Sequence, residues 1–207
     1  MRSSWQTPWI AIIFFAAISC GGSTTSTTAP STTSVTLHGE VSDSVDALSD
    51  PSDPRVPVPP DLVQATADVV AGNITFVVRL APGTLDHQTT RVAILLDTDL
   101  DPSTGIRQQD GIGADYSIDI AAGTGQAAVT KADQAGCAAH LSCFNAVGSA
   151  PITFVADSME VTVALSLLGN ASGRMSFQLS SYVLVAPLTP VVFDWMPDNN
   201  LPPGRVQ

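Results

Sequence analysis

From residue 61 onward, apolar and polar side chains alternate in short runs. Ile74, Phe76, Val78 and Leu80 alternate with Thr75, Val77 and Arg79. Tyr116, Ile118 and Ile120 alternate with Ser117 and Asp119. The same rhythm returns in Val161, Val163 and Leu165, and in Phe177 and Leu179. A repeat of two residues puts every second side chain on one face, which predicts half-buried β-strands. Residues 92–96 (VAILL) are apolar on both faces and predict a strand central in its sheet. Ala71-Gly72-Asn73 and Asp157-Ser158 separate neighbouring runs and predict hairpins. No stretch carries sustained helical periodicity. About seven to nine short strands at this spacing predict an all-β domain, an antiparallel sandwich of jelly-roll type.

The first sixty residues follow other rules. Residues 9–18 (WIAIIFFAAI) form an apolar run behind a single positive charge at Arg2. The run is too short to span ~30 Å of hydrocarbon as a helix, but it suits the core of an export signal. It ends in Ala17-Ile18-Ser19-Cys20, followed by Gly21-Gly22. This junction resembles the lipobox of bacterial lipoproteins, with Ala17 where leucine is usual. The resemblance implies removal of residues 1–19 and a lipid on the sulfur of Cys20. Two acyl chains bury many CH₂ groups at ~0.8 kcal/mol each, enough for stable anchoring. The expected place is a cell membrane, with the domain on its extracytoplasmic side. The alternative is an ordinary leader that leaves Cys20 as a thiol.

Residues 21–36 (GGSTTSTTAPSTTSVT) hold few apolar side chains, and residues 51–60 (PSDPRVPVPP) are proline-rich. Such composition predicts a disordered linker over residues 20–60. A flexible chain of that length reaches on the order of 35 Å. The folded domain is then expected over residues 61–207.

Charge and cysteine content narrow the partners. The chain carries 8 basic and 19 acidic side chains, a net charge of −11. Such a surface repels phosphate backbones, which argues against nucleic acid binding. It also argues against flat adsorption on anionic lipid, so membrane contact must come through the anchor. Of three cysteines, lipidation of Cys20 leaves Cys137 and Cys143. Export exposes them to oxidants, so a small disulfide loop is expected. Zinc held by Cys137, His140 and Cys143 is the alternative, and it lacks a fourth ligand.

Four segments occur in a fixed order: residues 97–105 (DTDLDPSTG), 111–116 (GIGADY), 161–169 (VTVALSLLG) and 194–198 (DWMPD). In this order they resemble the carbohydrate-binding module family 9 and DOMON-like group of extracellular β-sandwich domains. The resemblance covers residues 61–203 and implies a jelly-roll-like sandwich. It leaves the ligand open, because function sits in sites grafted on folds.

The acidic segment has two readings. Asp97, Asp99 and Asp101 place carboxylates at alternate positions, and Ser103 adds a hydroxyl. Hard oxygen ligands in a loop suit Ca²⁺. The bare alternative is a turn, in which aspartates bond nearby amides, Pro102 sets φ and Gly105 takes a positive φ. The aromatic candidates are Trp195 and Tyr182. Flat aromatic side chains stack on sugar rings, and the alternative places Trp195 as a plug at one end of the domain. No H-E-x-x-H, G-x-S-x-G or P-loop is present, so no enzyme activity is expected. Two functions follow: an anchored binding module for glycan, or an envelope lipoprotein that docks another envelope protein.

Overall fold

The alternating runs pair as antiparallel strands, and each strand buries its apolar set against the others. The computed structural model describes residues 33–39, 58–107, 112–139, 142–169, 172–185, 189–198 and 201–207. The leader, Cys20 and His140 lie outside the described residues. The main strands are β1 (Thr33–His38), β2 (Leu62–Val70), β3 (Asn73–Leu80) and β4 (Thr90–Asp97). A small ribbon follows, β5 (Ile106–Arg107) with β6 (Gly113–Ala114). Next come β7 (Tyr116–Ala121), β8 (Gln126–Ala132) and a short helix, α1 (Gln134–Ala138). The chain ends with β9 (Phe144–Val155), β10 (Ser158–Ala164), β11 (Met175–Val185), β12 (Thr189–Met196) and β13 (Gly204–Val206).

The all-β antiparallel expectation holds, and one sheet contains most of the strands. Its order is β1-β2-β3-β10-β9-β8-β7-β4-β11-β12, with β13 also paired to β11. The layers are continuous because β9 is long. Its first part, from Phe144 to Pro151, pairs with β8, while Ile152–Val155 pairs with β10. The sheet therefore curls into a barrel-like form around one core. Strand β12 meets β2, and β13 meets β1, without a backbone ladder among the described residues, and side chains bridge the seam. The Leu62 amide donates to Asp194 Oδ2, and Ser181 Oγ donates to the Pro60 carbonyl at 2.8 Å.

The inward set is the one the alternation marks. Ile74, Phe76, Val78 and Leu80 of β3 are fully buried, as are Val92, Ile94 and Leu96 of β4. Phe76 meets Phe177 edge to face, with centroids 5.5 Å apart. Strand β4 is central, between β7 and β11, as its two apolar faces predict. The hairpin between β2 and β3 turns at Ala71 and Gly72, both at positive φ.

One boundary differs from expectation. Thr33–His38 falls in the region assigned by composition to the disordered linker, yet it forms β1, paired with β2 from Thr33↔Val69 to His38↔Gln64. Val35 and Leu37 pack on the core while Ser34, Thr36 and His38 face outward. The period of two was present inside a Ser/Thr-rich stretch whose composition concealed it. The fit is close at Gly204, where a Cβ would lie 2.7 Å from the Phe177 ring and 3.1 Å from Leu37 Cδ1. A side chain at that position would force β1 and β13 apart.

Candidate functional site

Two places gather chemistry. The first is the acidic loop after β4. Asp97 closes the strand and is only 3% exposed. Asp99 Oδ1 accepts the Asp101 amide at 2.9 Å, and Asp101 Oδ1 accepts the Ser103 amide at 2.9 Å and its hydroxyl at 2.6 Å. Gly105 takes φ +62°, where a Cβ would strike the Ala114 carbonyl. These are the bonds expected of a turn.

The carboxylates that converge are Asp97, Asp99 and Asp115, which offer oxygens within 4.8 Å of one another. Asp101 and Ser103, paired with each other, are not in this group. Asp115 comes from the junction of β6 and β7, and its Oδ2 also accepts the Thr98 amide and hydroxyl, both at 2.9 Å. Burial first, then the Asp99 carboxyl, pushes the Asp97 pKa up to about 6. A buried carboxylate beside two others is costly to ionise.

The second place is a groove of about 560 Å³ on the face of the sheet opposite the core. Its lining brings Trp195 and Tyr182 together, and adds Phe144, Asp119 and Ser117. Register explains how it forms. Asp119 of β7 opposes Ala93 of β4, Ala93 opposes Ser180 of β11, and Ser180 opposes Trp195 of β12. The row thus runs Asp119, Ala93, Ser180, Trp195 across four strands. Strands lie ~4.8 Å apart, so its ends are about 14 Å apart along the sheet. The two middle side chains are small and leave a floor. Trp195 stands at one side, and Phe144, from the start of β9, reaches in at the other. Tyr182 occupies the neighbouring row, opposite Arg91.

The polar groups of this face interact. Ser117 Oγ lies 3.1 Å from Asp119 Oδ2 and donates to it. Burial raises the Asp119 pKa, opposed by the Ser117 hydroxyl and by the positive charge of Arg91. Burial also raises the Tyr182 pKa, reinforced by the Asp119 charge and opposed by the nearby Arg91 guanidinium.

Phe144 is held by what precedes it. Cys137 and Cys143 are joined as a disulfide, which leaves neither thiolate free for zinc. The Asp133 amide donates to the Cys143 carbonyl at 2.8 Å, and Asp133 also caps α1 by accepting the Gly136 amide. The disulfide loop therefore sets where Phe144 enters the groove.

Trp195 and Tyr182 are legible in the sequence as aromatic candidates, whereas Asp119, Ser117 and Phe144 are not. Asp119 and Ser117 were visible only as outward positions of an alternating strand. Nothing local to them marks a groove, because the floor depends on register with distant strands. Among the described residues no helix is long and apolar enough to cross a membrane. No family model matches the chain, and no curated protein matches it in sequence.

Proposed function

We propose that this chain is an exported binding module, anchored to a membrane through lipid on Cys20, whose groove takes carbohydrate. The observation that carries the reading is the set Trp195, Tyr182 and Phe144 around a floor of small residues, with Asp119 and Ser117 beside it. A sugar ring has an apolar face and a rim of hydroxyls. It needs flat aromatic surface and a few placed polar groups, and little else. The same requirement is poorly met by the acidic loop, whose carboxylate oxygens are largely occupied by its own amides and hydroxyls.

The test is a glycan array probed with the protein, followed by titration of the glycans retained. Trp195→Ala and Tyr182→Ala should each weaken binding about tenfold or more, the scale on which buried aromatic contacts count. An array with no retained glycan would overturn the reading. Retention of an envelope protein instead would support the docking function. Anchoring is tested separately. Cys20→Ser should move the protein out of the membrane fraction, and unchanged membrane association would remove the lipid from the proposal.

A further inference from the structure

The groove has a charge pattern that a neutral sugar does not require. Asp119 is the one carboxyl side chain among the lining residues. It makes no ion pair with a described residue, and its only close side-chain partner is the Ser117 hydroxyl. Arg91, in the next row, carries a positive charge that acts on both Asp119 and Tyr182. An enclosed carboxylate is costly to charge, and a ligand cation placed against it recovers part of that cost. Tyr182 and Phe144 line the same groove, and aromatic faces attract ammonium groups. The protein as a whole, at net charge −11, draws cations toward it and repels anions.

We infer that the carbohydrate taken by this groove bears a free, protonated amine, which sits on Asp119 while a ring packs against the aromatic side chains. The inference rests on the carbohydrate reading above and adds the ligand's charge. The amine donates to the Asp119 oxygen that Ser117 leaves open. The span of about 14 Å between the ends of the Asp119–Trp195 row leaves length for a ring beyond the amine-bearing one. N-acetylation of the amine would remove both its charge and its fit. Acidic sugars would bring a second negative charge beside Asp119 and are excluded on the same ground.

The experiment compares three ligands of one length by calorimetry: a tetramer of β-1,4-linked glucosamine, its fully N-acetylated counterpart and a tetramer of β-1,4-linked glucose. The glucosamine tetramer should bind about tenfold to a hundredfold tighter than the other two, the range for a hydrogen bond between charged groups. Asp119→Asn should erase the preference for the glucosamine tetramer over the other two. A measurement on the unaltered protein guards against a variant that fails to fold: raising the pH until the amine is neutral should remove the preference as well. Equal or tighter binding of the acetylated or glucose tetramer would overturn the inference and leave the carbohydrate reading intact. A preference that survives Asp119→Asn in a folded variant would also overturn it. Failure of all three ligands, with a silent glycan array, would remove both readings.

Discussion

Replacing Leu37 with alanine separates a strand from a spacer. Leu37 sits on β1, packs on the core, and approaches the β13 backbone at Gly204. A fully buried Leu→Ala change costs about 2–5 kcal/mol, through lost transfer energy and the cavity left behind. Leu37 is half-buried, so about half of that applies, roughly 1–2.5 kcal/mol. In a solvated linker the same change stays within ±0.5 kcal/mol. Thr36→Ala is the internal control, because Thr36 lies on the same strand but faces outward. The assay is urea unfolding of the protein and both variants. The midpoint should fall for Leu37→Ala with the slope unchanged, since the unfolding transition still exposes the same surface. A domain of this size loses about 2–4 °C of melting temperature per kcal/mol. If Leu37→Ala and Thr36→Ala unfold together, within about 0.5 kcal/mol, β1 contributes nothing and the domain begins near residue 61 as composition suggested.

The acidic loop and the disulfide make further claims. The Asp97 pKa is raised from 3.8 to about 6, so the folded form holds an extra proton between those values. The contribution of Asp97 to stability should therefore be full below about pH 4 and be lost as pH rises through about 6. Asp97→Asn should flatten that dependence in urea melts between pH 4.5 and 7, and a variant that follows the parent curve would refute the assignment. Asp86, Asp101 and Asp133, with lowered pKa values, act below this window, while Asp119, whose pKa burial raises, acts in the same sense as Asp97 and leaves a residual slope in the variant. Calcium at Asp97, Asp99 and Asp115 would act in the opposite sense, because it binds the ionised form. It would raise the melting temperature at pH 7 in the parent but not in Asp99→Asn, and four coincident curves with calcium and chelator would leave the loop as a turn. Thiol labelling should find Cys137 and Cys143 unreactive until reductant is added. Their separation of 6 closes a small loop, so reduction should cost about 2 kcal/mol or less. It should also weaken groove binding, because Phe144 loses its tether, and binding unaffected by reduction would dismiss that link.

The sequence by itself determined the strands, because alternation is a local property. Ile74 to Leu80 read as half-buried from their own order, and the fold buries that set. The two-faced apolar run at residues 92–96 announced a central strand, and β4 is one. The Ala71-Gly72 hairpin and the acidic turn were equally legible, since their side chains and glycines act on neighbouring backbone. The proximity of Cys137 and Cys143 was readable from spacing alone. Tertiary structure decided what meets what. It recruited Thr33–His38 to the edge of the sheet, where Val35 and Leu37 gained a surface to cover. It replaced Asp101 with Asp115 beside Asp97 and Asp99, because a turn directs Asp101 to its own amides while the β6–β7 junction delivers a carboxylate from elsewhere. It made the groove by setting Ala93 beside Ser180, and Asp119 and Trp195 at the ends of one row. Register between strands far apart in the chain is fixed by burial of the whole inward set. A shift of one residue would turn every outward side chain into the core, so the site exists only once the barrel-like sheet has closed on its register.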